Sequence, residues 1–307
     1  MSKKPPIVWL LTDQKPGHLN QLRGLAQQLE AKVSAQSHVI DITSTALSFY
    51  SVWRGVNLAP RLPVPDMVIA AGSGTQRALL ATKRCFAKPS VLLMRPNFPY
   101  AWLDAAIVPA HDNPPLRANI LVTQGVLNAV QPSAERSEAC AGAILIGGPS
   151  KHYGWDDAGL VAQVKTLCEE SHHRTWVLSD SRRTPEHFLS LLADQNIVNL
   201  TCFSYRETEA QWLSETLALS SPVWVTPDSV SMVYEALTSG AATGLFALPG
   251  GRPGRVTQGL DKLVSANRLV SFANRQRIST VAAADGFCEA ERAAAWLVER
   301  FLKDFMV

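Results

Sequence analysis

Pro222-Val-Trp-Val225 runs directly into Thr226-Pro-Asp228-Ser229-Val230-Ser231-Met232-Val-Tyr-Glu235-Ala-Leu237. This junction decides the fold class. A short apolar run suited to a buried strand ends at a polar residue, and Val230, Val233, Ala236 and Leu237 then recur at helical spacing. Asp228 is placed to cap that helix. A helix N-terminus presents free backbone N–H groups and the positive end of a dipole, so Asp228, Ser229, Val230, Ser231 and Met232 form a candidate anion site. Glu235, about two turns in, is placed to reach sugar hydroxyls. The same residues also fit an ordinary capped helix with a solvated glutamate.

The same strand-turn-helix order extends outward in both directions. Ile7-Val-Trp-Leu-Leu11 is a continuous apolar run, followed by Leu22, Leu25, Ala26 and Leu29 at helical spacing. Met67-Val-Ile-Ala-Ala71 runs into Gly72-Ser73-Gly74-Thr75 and a second helix, and Ser90-Val-Leu-Leu-Met94 ends at Arg95-Pro-Asn97. In the second half, Ala143-Ile-Leu-Ile leads into Gly147-Gly148. A helix over 156–170, a strand over 175–179, a helix from Pro185 and strands over 198–203 and 244–248 follow. Such alternation predicts parallel α/β units. Between Pro109 and Ala141 it weakens: Asp112-Asn-Pro-Pro115 breaks the chain, and the polar run 131–138 reads as a linker. The expected domains are therefore 1–138 and 139–307. The final helical pattern, 288–305, suits either of them.

A chain of 307 residues holds two domains of ordinary size, and 47% hydrophobic against 18% charged residues excludes wholesale disorder. With 29 basic and 26 acidic residues and no long basic run, nothing demands a nucleic-acid partner. Cys85, Cys140, Cys168, Cys202 and Cys288 lack paired spacing and read as reduced core thiols. The apolar run after the N-terminus is shorter than a signal peptide requires, and no stretch approaches a membrane span. The expectation is a cytoplasmic location, with peripheral membrane contact left open.

Chemistry-bearing residues gather at the carboxyl ends of the expected strands, where open α/β sheets bind ligands. The first turn, Thr12 to Gln21, holds Asp13, Lys15, Gly17 and His18. Gly17 permits close backbone approach, Lys15 can hold an anion, and His18 can take a proton near neutral pH with Asp13 orienting it. Ser73 and Gly74 make a second small-residue turn, and Arg95 ends the next strand. In the second half Gly147, Gly148, Ser179, Arg182 and Arg183 occupy the equivalent edge, the arginine pair suiting a diphosphate. No His-Glu-x-x-His or Asp-x-Asp arrangement appears, so no metal is expected. The absence of a Gly-x-Gly-x-x-Gly turn and of a Gly-Lys-Ser/Thr loop argues against dinucleotide redox chemistry and ATP hydrolysis, and no cofactor is expected.

Trp9-Leu-Leu-Thr-Asp-Gln-Lys-Pro-Gly-His-Leu-Asn-Gln21 together with the run from Thr226 to Ala236 resembles the mitochondrial fission "elongated mitochondria" (ELM) family, nearly end to end. The resemblance implies an α/β fold of the glycosyltransferase-B kind, two Rossmann-like domains facing across a cleft, related to the peptidoglycan glycosyltransferase that uses a UDP-sugar. It implies an acceptor-side N-terminal domain, with His18 as the candidate base and Lys15, Gly17, Gln21, Ser73, Gly74 and Arg95 around the acceptor. It implies a C-terminal domain that binds a nucleotide-diphosphate sugar as donor substrate. There Gly147 and Gly148 open the domain, Ser179 to Arg183 flank the nucleotide, and Asp228 to Met232 meet the diphosphate. Glu235 would bind ribose, and Gly250-Gly251 and Gln258 would lie by the donor sugar. The first turn lacks the glycine-rich run of the peptidoglycan enzyme, so the acceptor does not carry over. The implied function is metal-independent glycosyl transfer. A non-catalytic binding or scaffold protein and a UDP-sugar epimerase stay open as alternatives.

Overall fold

The computed structural model describes residues 4–133, 141–209, 211–250, 254–281 and 287–305. The chain divides into two compact units, Met1–Ala129 with Cys288–Val307 and Val130–Phe287. The boundary expected after Glu138 falls outside the described residues.

In the first unit β1 (Ile7–Thr12), β2 (Gln36–Asp41), β3 (Met67–Ala71), β4 (Ser90–Leu93), β5 (Ala105–Pro109) and β6 (Ile120–Thr123) form one sheet in the order β2-β1-β3-β4-β5-β6. Every pairing is parallel, with Leu11 opposite both Ile40 and Ala70. Every residue of β1 is buried because helices cover both faces of a central parallel strand. Side chains alternate along it: Val8 and Leu10 join one core cluster, and Ile7, Trp9 and Leu11 join the other. The first face is covered by α1 (Pro16–Val33) and by α9 (Glu289–Phe301), through Leu22, Leu25 and Leu29 on one helix and Ala293, Ala294 and Leu297 on the other. Burying each such leucine contributes about 1.5–3 kcal/mol. Polar ties hold α9 to this unit. Gln124 N donates to Glu289 Oε1 (3.3 Å), and Arg292 donates to the Val122 carbonyl (2.6 Å). The opposite face carries α3 (Gln76–Phe86), with α2 (Phe49–Arg54) packed on it.

In the second unit β7 (Gly142–Leu145), β8 (Trp176–Ser179), β9 (Leu200–Phe203), β10 (Val223–Val225), β11 (Thr243–Leu245) and β12 (Val270–Ser271) form a parallel sheet in the order β12-β11-β10-β7-β8-β9. Between them run α4 (Asp157–Glu170), α5 (Phe188–Ala193), α6 (Trp212–Leu219), α7 (Val230–Ser239) and α8 (Arg255–Ser265). Counted within the unit, this is the 3-2-1-4-5-6 order of the Rossmann fold. The architecture is that of two Rossmann-like units. Among the described residues no helix is long and apolar enough to cross a membrane.

Several local expectations shift. The helix expected from Pro185 begins at Phe188, because 185–188 close a turn in which Phe188 N donates to the Pro185 carbonyl (3.0 Å). The strand expected from Val198 begins at Leu200, and the one expected over 244–248 ends at Leu245. Of the cysteines expected in the core, Cys168 and Cys288 are buried whereas Cys85 and Cys202 are exposed; Cys140 lies outside the described residues.

The strand orders locate the sites. From β1 the chain passes to β2 on one side and then crosses to β3 on the other, so the order reverses between β1 and β3. In the second unit it reverses between β7 and β10. Ligands in open α/β sheets bind beyond the carboxyl ends of the strands at such reversal points.

Candidate functional sites

The first reversal point brings together the turn after β1 and the turn after β3. Gln14 takes a left-handed backbone (φ 59°), and Pro16 starts α1 with its fixed φ. This folds His18 back onto Asp13, with Nδ1 2.7 Å from Asp13 Oδ1. A carboxylate only accepts, so Nδ1 of the neutral imidazole carries the proton and Nε2 keeps its lone pair. Among the described residues Nε2 has no hydrogen-bond partner. Lys15 Nζ lies 3.1 Å from Asp13 Oδ2, an ion pair that lacks hydrogen-bond alignment, so that buried oxygen accepts no hydrogen bond.

Gly72 seats the imidazole. Its φ of +88° favours glycine, and a Cβ there would fall 2.1 Å from His18 Cε1. Gly74 touches Asp13 from the same turn, its ideal Cβ position lying 3.3 Å from Oδ2. Thr75 Oγ1 donates to the carbonyls of Ala71 and Gly72 and locks the turn. By contrast a Cβ at Gly17 would meet no atom, so the chain's own packing leaves that position open. Gly72→Ala is therefore expected to displace the His18 ring. The Nδ1–H resonance of the His18–Asp13 hydrogen bond should be lost from the NMR spectrum, and an unchanged resonance would count against this packing.

Burial pushes the Asp13 carboxyl up, but the hydrogen bond from His18, the nearby Lys15 ammonium, the His18 charge and the Lys15 amide together outweigh it and hold the group below its ordinary value. A carboxyl depressed in the folded state binds its proton more readily when unfolded. The stability it contributes is thus present above the unfolded value and is lost as pH falls through the lower folded one. We expect Asp13→Asn to flatten the fall in melting temperature below about pH 4. An unaltered acid limb would remove Asp13 from this role.

Other acceptor-side residues lie at the same edge less tightly. Gln21 is buried on α1, its Nε2 3.6 Å from Met94 Sδ, and Met94 follows β4 with a positive φ of 75°. Gln76 bridges the next turn, donating to the Arg95 carbonyl (3.5 Å) and accepting from Asn97 N (3.0 Å), while the Arg95 side chain is exposed. Ser73 and Gly74 are exposed where the turn enters α3.

The second reversal point is built around Asp228. Expected as a helix cap, Asp228 instead turns back to the loop after β7. Ser229 holds the N-cap position of α7 with no side-chain cap bond. The Asp228 side chain is fully buried, and its Oδ2 accepts from Gly148 N (2.9 Å) and pairs with Arg183 Nη2 (2.8 Å). A buried carboxylate needs an amide and a guanidinium more than a helix needs a cap, so the Asp228 side chain turns away from the α7 amides. Gly147 N donates to Thr226 Oγ1 (2.7 Å), and the Thr184 hydroxyl donates to the carbonyls of Ile146 and Gly147.

Gly147 and Gly148 are thus glycines of close packing. A Cβ at the first would fall 2.3 Å from Asp228 Oδ2, and one at the second 2.1 Å from the Arg183 carbonyl. Their amides are already engaged, and Arg183 is engaged by Asp228 and by the Gly148 carbonyl. What faces outward is different: Arg182 and Ser231 are exposed, and the first-turn amides of Val230, Ser231 and Met232 have no partner among the described residues. Asp228 Oδ1 is buried and accepts no hydrogen bond.

Around this core, Ser179 is buried at the end of β8, and Asp180 Oδ1 accepts from Tyr205 N (2.6 Å). Glu235 is buried on α7. Gln258 is exposed in the first turn of α8, which Thr257 ties to Gly254 N (2.9 Å). Gly250 is described and meets nothing at its Cβ position; Gly251 lies outside the described residues. Burial, then the charges of Asp261 and Asp228, push the Tyr153 hydroxyl up. Tyr153 carries no signal in the sequence, and Gly72 and Thr184 stand there only as members of strand-ending turns, with no role of their own.

Against known proteins, the family model described as Mitochondrial fission ELM1 matches residues 16–301. An uncharacterized protein, RP120, of Rickettsia prowazekii (strain Madrid E) is 24% identical over 298 residues, covering 79% of this chain and 83% of its own. Among solved structures, a putative UDP-N-acetylglucosamine 2-epimerase from Listeria monocytogenes superposes with a TM-score of 0.62 at 13% identity, covering 98% of each chain. Acinetobacter baumannii MurG superposes with a TM-score of 0.54 at 13% identity, over 97% of this chain and 100% of its own. The shared fold is what these two similarities carry.

Proposed function

The chain belongs to the mitochondrial fission ELM1 family, and from that premise and its two sites we propose that it is a metal-independent glycosyltransferase using a nucleotide-diphosphate sugar, with UDP the first nucleotide to test. The observation that carries the proposal is the Asp13–His18 pair, 2.7 Å apart at the reversal point of one Rossmann-like unit. The other unit offers uncapped helix amides at its own reversal point. In this reading the first unit is the acceptor side and the second holds the donor.

His18 Nε2 takes the proton of an acceptor hydroxyl, and Asp13 stabilises the imidazolium that forms. The acceptor oxygen bonds to the anomeric carbon as the bond from that carbon to the diphosphate oxygen breaks. The leaving diphosphate keeps the electron pair. Its charge is met by the α7 amides of Val230 to Met232 and by Arg182, the neutralisation that a divalent ion supplies in other transferases. Arg183 and Asp228 neutralise each other and hold the loop after β7, so a diphosphate is not repelled by an unpaired carboxylate.

A thermal-shift panel of nucleotides and nucleotide sugars tests the donor site, because a ligand that binds only the folded state adds about 2.7 kcal/mol at a hundredfold excess over Kd. A UDP-selective shift is expected, and Glu235→Ala should weaken nucleoside diphosphate binding by about 1–3 kcal/mol. Unchanged affinity in a folded variant would remove Glu235 from the site. Transfer should survive EDTA; loss that magnesium or manganese restores would overturn the metal-independent reading. The similarity to a putative epimerase favours a second reading. Product analysis decides, since an epimerase alters the UDP-sugar with no acceptor present.

A further inference from the structure

The outer surface of the first unit carries an aromatic helix that the transfer chemistry does not use. On α2, Phe49, Tyr50 and Trp53 are 80%, 63% and 68% exposed. Trp53 is the surface neighbour of both others, of Phe49 at i,i+4 and of Tyr50 at i,i+3. Tyr50 and Trp53 stack with ring centroids 6.4 Å apart, and no residue of α2 is buried. Solvent-facing side chains on a six-residue helix contribute little to the core, so folding alone does not account for three large rings there.

The surroundings are cationic. The Arg77 guanidinium lies 4.9 Å from the Phe49 ring centroid and that of Arg54 lies 5.6 Å from Tyr50. Arg84 is exposed on α3 beside the end of α2, where Gly55 packs against the Arg84–Cys85 backbone. From Ile42 to Pro65 the chain has no Asp or Glu, and α3 has none. A groove of about 520 Å³, lined by Leu47, Ser48, Gly74 and Arg77 among others, adjoins this helix. Gly74 both lines the groove and touches Asp13.

We propose that α2 is a docking surface for an anionic lipid bilayer. Tryptophan and tyrosine favour the headgroup boundary, where the ring is apolar and the polar edge stays wet. Phe49 supplies apolar contact below it. Arg54, Arg77 and Arg84 meet the negative surface potential, and the missing carboxylates remove the repulsion that would oppose approach. A docked bilayer lies beside the His18 turn through Gly74. Docking is a property of the first unit and does not depend on the transferase reading.

Co-sedimentation with vesicles tests it, using equimolar phosphatidylcholine and phosphatidylglycerol against phosphatidylcholine alone. The full chain is expected to bind the anionic vesicles and to be released by salt. Replacing Phe49, Tyr50 and Trp53 together by serine should lower partitioning at least about tenfold with an unchanged melting temperature. Arg54→Glu with Arg84→Glu, a second variant that leaves the rings in place, should lower it about fivefold per charge. Absence of vesicle binding by the wild type overturns the proposal, as does equal binding by the serine variant. So does a wild-type dimer that the serine variant renders monomeric without any vesicle binding, which makes the face a self-association surface. None of these outcomes bears on the nucleotide panel, so the two proposals fail separately.

Discussion

His18→Ala is expected to slow sugar transfer by about 10²- to 10⁴-fold, the usual loss when a general base is removed, while nucleotide binding by the other unit stays intact. The asymmetry follows from where the residue sits: His18 bonds to Asp13 within the first unit and contacts Gly72 there. A histidine of purely structural value would lower the melting temperature and leave turnover of the folded protein near wild type. Single-turnover rates with an identified donor and acceptor, measured beside the UDP-induced thermal shift, separate the cases. Transfer near the wild-type rate would reassign the turn to acceptor contact.

The second large effect concerns stability. Arg183→Met should destabilise the protein by about 3 kcal/mol, because it leaves a buried carboxylate without its counter-charge. The Asp228 side chain is wholly buried, and after the substitution only the Gly148 amide would stabilise its charge. Arg183 is itself 44% exposed, so water can enter from its side, which sets the expectation at the lower end of the range for broken buried pairs. Adding Asp228→Asn removes the stranded charge and should recover most of the loss. Denaturant unfolding of the four proteins in this cycle measures the coupling. Additive effects would show that the pair does not hold the loop, and would return Arg183 to the role of a free diphosphate ligand.

The strands that were legible in the sequence are those buried in the middle of each sheet. Ile7 to Leu11, Met67 to Ala71, Ala143 to Ile146 and Pro222 to Thr226 read as apolar runs because a central parallel strand is covered on both faces. The strands missed or misplaced are chiefly the edges. β2 and β6 border the first sheet, and β12 and β9 the second. The β2 residues Gln36-Ser-His-Val-Ile-Asp41 are mostly solvent-exposed, and β9 is only partly covered. An edge strand keeps one side in water, so its composition approaches that of a loop. β5 and β11 are interior exceptions: the Ala-Ala-Ile-Val-Pro run of β5 begins with small residues that do not stand out, and β11 ends after only three residues.

The order of apolar runs and helical patterns along the chain is enough to set the alternation of buried strands and helices, and with it the parallel sheets and the edge along which polar residues gather. The sequence also places Asp13 and His18 in one short turn, since only four residues separate them at a helix entrance. Which turns meet depends on how the strands line up in space. Gly72 seats the His18 ring because β3 lies beside β1, and α9 returns to the first unit because its apolar stripe matches α1. Asp228 followed the same logic against its local rule. Capping depends on a residue's nearest neighbours in the chain, whereas a buried carboxylate is governed by whatever donor the fold brings to it. Here that donor is Arg183, 2.8 Å away in space and delivered from the end of a different strand.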